Sequence, residues 1–311
     1  MPTHDPITRR FVTLDGQRVS CLWRDGGHEG ATLVFIHGSG MSARYWSDQT
    51  RALADTARVL AVDLPGHGDS DDAPAPSLAH YADATAGVID ALGARPAIVV
   101  GHSLGGAVAV ALAARRPADV CGLVLLSACA RVPPVSPSAQ WLWASLPTPL
   151  RRLLFFVTAK NVLFAAGASP AAIALGMQEL RACRARTLAA DVAIARSMDV
   201  TELAGRLRVP ALILCGSRDR VTPLALSRHL NATIAGSRLS LVDGAGHMLL
   251  IEAPAVVNRE ISAFAASIAR QLPPPPIAFA RRRSRWSRML QRVLALVRAI
   301  LPTAHRVGTR P

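Results

Sequence analysis

The chain of 311 residues has almost no lysine: Lys160 stands alone, so the formal charge of +14 is carried by arginine. Acid is missing from Pro273 onward, where Arg281, Arg282, Arg283, Arg285, Arg288, Arg292, Arg298, Arg306 and Arg310 stand without one carboxylate. These nine arginines leave only +5 on residues 1–272, so the main body is mildly basic and the extreme charge belongs to the tail. Cysteine is sparse and odd in number: Cys21, Cys121, Cys129, Cys183 and Cys215, with no C-x-x-C pair. That pattern excludes a disulfide framework or a zinc site and fits free thiols in a reducing compartment. Long apolar runs are also missing. Pro147, Pro149, Arg151, Arg152 and Lys160 break the longest ones below the ~20 residues that a spanning helix needs. The opening "MPTHDPITRRF" has no apolar run and reads as no signal peptide. Together these absences predict a cytoplasmic protein.

What is present is a regular alternation. "FVTLDGQRVSCLWRDG" alternates around Asp15-Gly16 and predicts a hairpin. Near-continuous apolar runs follow at 32–36, 58–62, 97–100, 120–127, 211–215 and 239–242, as expected for parallel strands covered on both faces. Helical text lies between them near 43–55, 78–93, 104–116, 223–234 and 254–271. The alternation predicts an α/β fold with a mostly parallel central sheet flanked by helices. From Arg131 to Arg208 the rhythm breaks into Pro-rich turns and Ala/Leu/Arg-rich helical text, too long for a loop in a compact domain. The predicted organisation is therefore a core over 1–130 and 209–272, a helical cap over 131–208, and a proline linker with a basic amphipathic helix over 273–311. No internal repeat of solenoid period is present.

One junction carries chemistry. Gly101-His102-Ser103-Leu104-Gly105 stands where a strand candidate becomes a helix candidate. In G-x-S-x-G the central residue adopts a strained turn, and its neighbours two positions away must be small to clear it. A serine hydroxyl is a weak nucleophile at neutral pH, so it needs an imidazole base, which needs an acid to hold its tautomer. In the order Ser…Asp…His, Asp219 in "LILCGSRDRVTP" and His247 in "VDGAGHMLLIE" each follow a strand candidate, at the ends where open α/β sheets bind ligands. The segment after the strand at 120–127 reads "LSACAR" and offers no carboxylate, which strengthens Asp219. Asp243 is too close to His247 in sequence and is read as shaping the turn. Among the other histidines, His102 sits inside the motif and is expected to point away from the nucleophile. His37 and His67 are read as bracing glycine turns, and His4, His28, His80, His229 and His305 have no matching context. The oxyanion of an acyl-transfer intermediate needs backbone donors. The N–H of Leu104 and that of Ser39, in "HGSG" at 37–40, are the candidates.

With "HGSG" at 37–40, "DLPGHGDS" at 63–70, "GHSLGG" at 101–106, "GSRDRVTP" at 216–223 and "GAGH" at 244–247, the chain resembles the α/β-hydrolase superfamily over about residues 10–272. The resemblance implies an eight-stranded sheet with a lid after the sixth strand, Ser103 as nucleophile, Asp219 as orienting acid and His247 as base. It implies a structural part for Asp63, Gly66, His67, Gly68 and Ser70. Two departures narrow the class. The lipase-type HGGG is absent, and a serine at 103 disfavours haloalkane dehalogenase and epoxide hydrolase chemistry, in which a carboxylate attacks carbon.

The expected activity is cleavage of a carboxylic ester through an acyl-enzyme, without metal or cofactor. The same triad would also serve a thioester, lactone or C–C bond hydrolase or a cofactor-free peroxidase, and a non-catalytic accessory protein of this fold is a further alternative. In the cap, Trp141, Trp143, Leu153, Leu154, Phe155, Phe156 and Phe164 are candidates for an apolar acyl pocket, or for plain helix packing. On a 100° wheel, residues 285–301 place Trp286, Met289, Leu290, Val293, Leu294, Leu296, Val297, Ile300 and Leu301 on one face, with Arg285, Arg288, Arg292 and Arg298 opposite. Such a helix, after "RRRSR", suits an anionic membrane surface. Docking on the core or on a second subunit is the alternative, and the apolar face disfavours nucleic acid.

Overall fold

The computed structural model describes residues 6–26, 30–133 and 145–271. The chain opens on a hairpin of β1 (Thr8–Leu14) and β2 (Gln17–Arg24). Its two-residue turn, Asp15 at φ 48° and Gly16 at φ 81°, has the doubly positive φ that matches strand twist in a type I′ turn. Six further strands follow: β3 (Thr32–Ile36), β4 (Arg58–Val62), β5 (Ala97–His102), β6 (Val120–Leu126), β7 (Ala211–Gly216) and β8 (Arg238–Val242). They form one sheet in the order β1-β2-β4-β3-β5-β6-β7-β8. β2 runs antiparallel to both β1 and β4, and from β4 to β8 every pairing is parallel. The chain therefore has the α/β-hydrolase fold, an eight-stranded and mostly parallel sheet.

Alternation along the strands explains the layers. Val34, Ile36, Val99, Leu123, Leu125 and Ile213 belong to one core, while Leu33, Phe35, Val100, Val124, Leu126 and Leu214 belong to the other. The inner strands β3 to β7 thus bury both faces, at ~1.5–3 kcal/mol per large apolar side chain removed from water, whereas the edge strands β1 and β8 stay partly exposed. α2 (Leu78–Ala91), α3 (Leu104–Arg115) and α8 (Leu224–Thr233) cover the first face; α1 (Ser47–Leu53) and α10 (Pro254–Ala269) cover the second.

The sequence reading is refined at several ends. β5 continues through Gly101 and His102 because both pair with β6, opposite Leu125 and Leu126. The helix expected over 43–55 is a 3₁₀ turn, Ala43–Trp46, followed by α1; Ser42 caps the turn by accepting from Arg44 N–H at 3.3 Å. A four-residue helix, α9 (Leu249–Glu252), falls in text that gave no helical signal.

Between β6 and β7 lie α4 (Thr148–Leu163), α5 (Pro170–Ala182), α6 (Ala185–Ser197) and α7 (Thr201–Arg206). This insertion leaves and returns at one neck: Arg131 bridges Asp199, and Val200 N–H donates to Ala130 O at 2.9 Å. Among the described residues, no helix is long and apolar enough to cross a membrane. The basic tail helix read over 281–301 lies outside the described residues, as do Trp141 and Trp143.

Candidate active site

The order of the strands reverses at β3, whose neighbours β4 and β5 lead the chain in opposite directions. Ligand crevices of open α/β sheets form at the carboxyl ends of strands beside such a reversal. The loop after β3 holds His37–Gly40, the turn after β5 holds Ser103, the loop after β7 holds Asp219 and the loop after β8 holds His247.

Ser103 has φ 52° and ψ −119° between β5 and α3. A non-glycine residue in this region costs about 1–3 kcal/mol and persists only where its surroundings enforce it. Here Ser103 N–H donates to Leu126 O and Gly106 N–H to Ser103 O, each at 2.9 Å. The glycines permit the close approach. A Cβ on Gly101 would strike the carbonyl of Gly105, and one on Gly105 would strike those of Ile36 and His37. The β3 loop presses on the turn from the other side, since a Cβ on Gly38 would stand 3.1 Å from that of Ser103.

Asp219 and His247 meet directly. His247 Nδ1 lies 3.1 and 3.2 Å from the two carboxylate oxygens, and the residues are only 7% and 3% exposed. Asp219 Oδ1 also accepts the N–H groups of Val221 and Thr222, both at 2.9 Å, and its Oδ2 lies 2.8 Å from the Thr222 hydroxyl. Burial pushes the Asp219 carboxyl up, but the bond and charge of His247 and the Thr222 N–H outweigh it and hold the group down at about 2. Ionised Asp219 is an acceptor for the Nδ1 side of the His247 ring and so orients the imidazole.

The loop bearing His247 is clamped from both sides. Glu252 accepts Gly246 N–H and Met248 N–H, each at 3.1 Å, and Ala165 N–H of the insertion at 2.9 Å. His247 N–H itself donates to Leu163 O at 2.9 Å. His102 packs against the loop of His247. Its ring borders the cavity, 5.0 Å from that of His247, and Nε2 donates to His247 O at 2.9 Å. The reversal at Ser103 leaves the preceding side chain against the loop of His247. Burial, with His247 beside it, pushes the His102 imidazole down to about 3, so it is neutral and donates through Nε2.

Ser103, His247, Ser39 and Leu104 line one cavity of about 360 Å³, as do His102 and Thr222. Among the described residues, no acceptor takes the N–H of Ser39 or that of Leu104. The rest of the wall is chiefly apolar: Met41, Phe155, Val162, Leu180, Leu188, Val192 and Met198 among others, with Arg196 as a charged member. Of the aromatic residues anticipated in the insertion, Phe155 reaches the cavity. Phe164 is buried in the core, and Phe156 faces a separate surface groove. The insertion also supplies Thr158, Ala159, Val162 and Leu163 from α4, Leu180 from α5, and Leu188, Val192, Ala195 and Arg196 from α6, which sequence alone had not singled out. Among the described residues, no three His, Cys, Asp or Glu side chains converge as metal ligands would.

The "DLPGHGDS" segment braces the core. Asp63, wholly buried, accepts from Arg9 Nη1 at 2.7 Å and from Ala43 N–H at 2.6 Å, and Ser70 Oγ donates to Asp63 O at 2.7 Å. His37 Nε2 accepts Leu64 N–H at 3.1 Å, and the Ser217 hydroxyl donates to Asp243 at 3.0 Å.

Known proteins share this architecture. A family model described as "Alpha/beta hydrolase family" matches residues 33–260. The chain is 32% identical over 223 residues to the pimeloyl-[acyl-carrier protein] methyl ester esterase of Neisseria meningitidis, covering 69% of this chain and 86% of that one. It is 30% identical over 280 residues to the non-heme chloroperoxidase of Streptomyces lividans, covering 82% and 99% of the two chains. The solved structure of a thermophilic esterase from Thermogutta terrifontis superposes with a TM-score of 0.73 at 26% identity, covering 84% of this chain and 99% of that one. The chain belongs to the alpha/beta hydrolase family and is a hydrolase.

Proposed function

We propose that the protein cleaves a carboxylic ester with an apolar acyl group, through an acyl-enzyme on Ser103. The observation that carries this reading is that Ser103, on its strained turn, and His247, held by Asp219, line the same largely apolar cavity. Ser103 Oγ attacks the ester carbonyl and passes its proton to His247 Nε2. Asp219 stabilises the imidazolium. The oxyanion takes the N–H groups of Ser39 and Leu104, each such donor lowering the barrier by about 3 kcal/mol. Collapse of the intermediate expels the alcohol, which takes the proton from His247. A water molecule, deprotonated by His247, then attacks the acyl-enzyme and frees the acid and Ser103. Residues 131–208 act as the cap, whose aliphatic side chains receive the acyl chain. The printed names of the Neisseria and Thermogutta proteins, both esterases, support an ester as substrate.

A fluorophosphonate probe tests the reading. It is expected to label the protein and to fail on Ser103→Ala, and labelling of the variant would refute the nucleophile. A panel of esters, thioesters and lactones then fixes the leaving group. Similarity to the Streptomyces chloroperoxidase favours one second reading, cofactor-free peroxidation on the same triad. Bromide oxidation assayed beside ester cleavage separates the two.

The proposal includes peripheral attachment at the cytoplasmic face of an anionic membrane. The apolar and arginine faces of residues 285–301 and the cluster "RRRSR" support it.

A further inference from the structure

Asp191, on α6 of the insertion, is wholly buried. Its Oδ2 accepts Gly40 N–H at 3.0 Å and lies 2.8 Å from His67 Nε2, while its Oδ1 accepts the Tyr81 hydroxyl at 2.9 Å. A buried carboxylate is costly unless fully paired, and an apolar residue would pack under the insertion without that cost. What a carboxylate adds at this place is an acceptor aimed at main-chain Gly40.

Gly40 directly follows Ser39. Met41 N–H donates to Gly38 O at 3.2 Å, closing a turn over Gly38–Met41. Gly40 has φ 72°, the positive value that a type II turn requires at its third residue. Type I and type II turns differ by a flip of the central peptide, here the one joining Ser39 to Gly40. Asp191 holds the N–H of that peptide. The insertion also closes over the turn, since a Cβ on Gly40 would stand 2.9 Å from Leu180 Cδ1 and 3.0 Å from Leu188 Cδ1. A flip would take the N–H from the carboxylate and turn the Ser39 carbonyl against it, so Asp191 favours the one form of the turn that carries the Ser39 N–H, the oxyanion donor of the proposed mechanism.

We infer that Asp191 is a positioning residue for the oxyanion donor at Ser39, which makes the insertion part of the catalytic machinery as well as a wall of the pocket. The inference rests on the reading of Ser103 and Ser39 given above.

Asp191→Asn tests it selectively. With the amide oxygen accepting from Tyr81, the amide nitrogen stands where Oδ2 stood, and a donor then faces Gly40 N–H. On 4-nitrophenyl butyrate the full-length variant is expected to lose about tenfold or more in kcat with KM changed less than about twofold. The inhibition constant of a trifluoromethyl ketone, whose adduct places an oxyanion in the hole, should rise by the same factor. Tyr81→Phe removes a bond to the same carboxylate away from Gly40 and should lower Tm while leaving kcat within about twofold. An Asp191→Asn enzyme with lowered Tm and unchanged kcat and ketone affinity would overturn the inference, leaving Ser103 labelling and the proposed mechanism standing. Should the Asn variant fail to fold, Asp191→Ala with added formate reports on the same acceptor: restored kcat supports the role and no restoration overturns it. Ester cleavage that survives Ser103→Ala would overturn the reading of the site and this inference together.

Discussion

His102 Nε2 donates to the main-chain carbonyl of His247 across 2.9 Å, so the residue before Ser103 holds the loop of His247. The bond joins β5 to the loop after β8 and ties the main chain of His247 to the strand that ends at Ser103. His102→Phe keeps an aromatic ring and removes the donor. It is expected to lower kcat about tenfold with little change in KM, as for a transition-state contact acting through orientation. His102→Gln, which retains a donor at similar reach, should recover most of the loss. Steady-state kinetics on one ester measures both.

The aliphatic wall predicts the acyl preference. Val192 lines the cavity from α6 and is partly buried. Val192→Phe takes up room that a longer chain would use. Activity on octanoyl relative to acetyl esters is expected to fall about tenfold, roughly the discrimination one or two methylenes earn in an apolar pocket. An unchanged chain-length profile would show that the acyl group lies elsewhere.

Acid stability follows from two buried imidazoles. Burial, reinforced by a neighbouring histidine, pushes His37 and His102 each down to about 3, whereas an unfolded histidine titrates near 6.5. Below pH 6.5 the unfolded chain binds protons that the folded chain refuses, so the stability from these groups is complete above about 6.5 and declines toward 3. Asp219, held at about 2, adds a loss that sets in as pH falls through the ordinary carboxylate range and is complete below about 2. Tm followed from about pH 7 down to 4 should fall continuously, and His102→Gln should fall less steeply over that range.

Truncation after Pro276 removes the arginine-rich tail and leaves the described residues whole. The shortened protein is expected to keep its activity on a soluble ester and to lose sedimentation with vesicles of anionic lipid. Vesicle binding unchanged by truncation would remove the membrane role from the tail.

Local signals were readable and long-range ones were not. The strands stood out because a parallel sheet covered on both faces needs unbroken apolar runs, as at 32–36 and 58–62. The turn at Ser103 was legible because its clearance depends on glycines within two residues. Asp191 gave no such signal. In Ala/Leu/Arg-rich helical text a lone aspartate looks like a solvent-facing residue, and its partners Gly40, His67 and Tyr81 lie 110 to 151 residues away. Glu252 and Thr222 were missed for another reason: their bonds to Met248 N–H and to Asp219 span only four and three residues, but neither residue type marks a loop clamp in the sequence. The bond of His102 to His247 gave no signal either, since the two lie 145 residues apart.

The neck at Arg131 and Asp199 gives the insertion the ends of an exchangeable cassette: it leaves and rejoins the sheet at one point, so its replacement disturbs no strand register. Yet Asp191 travels with that cassette while Gly40 stays behind. A transplanted insertion would bring a new acyl pocket together with its own support for the oxyanion loop, or none. In this architecture, recombining specificity therefore also resets the rate, unless the graft carries a carboxylate to the place of Asp191.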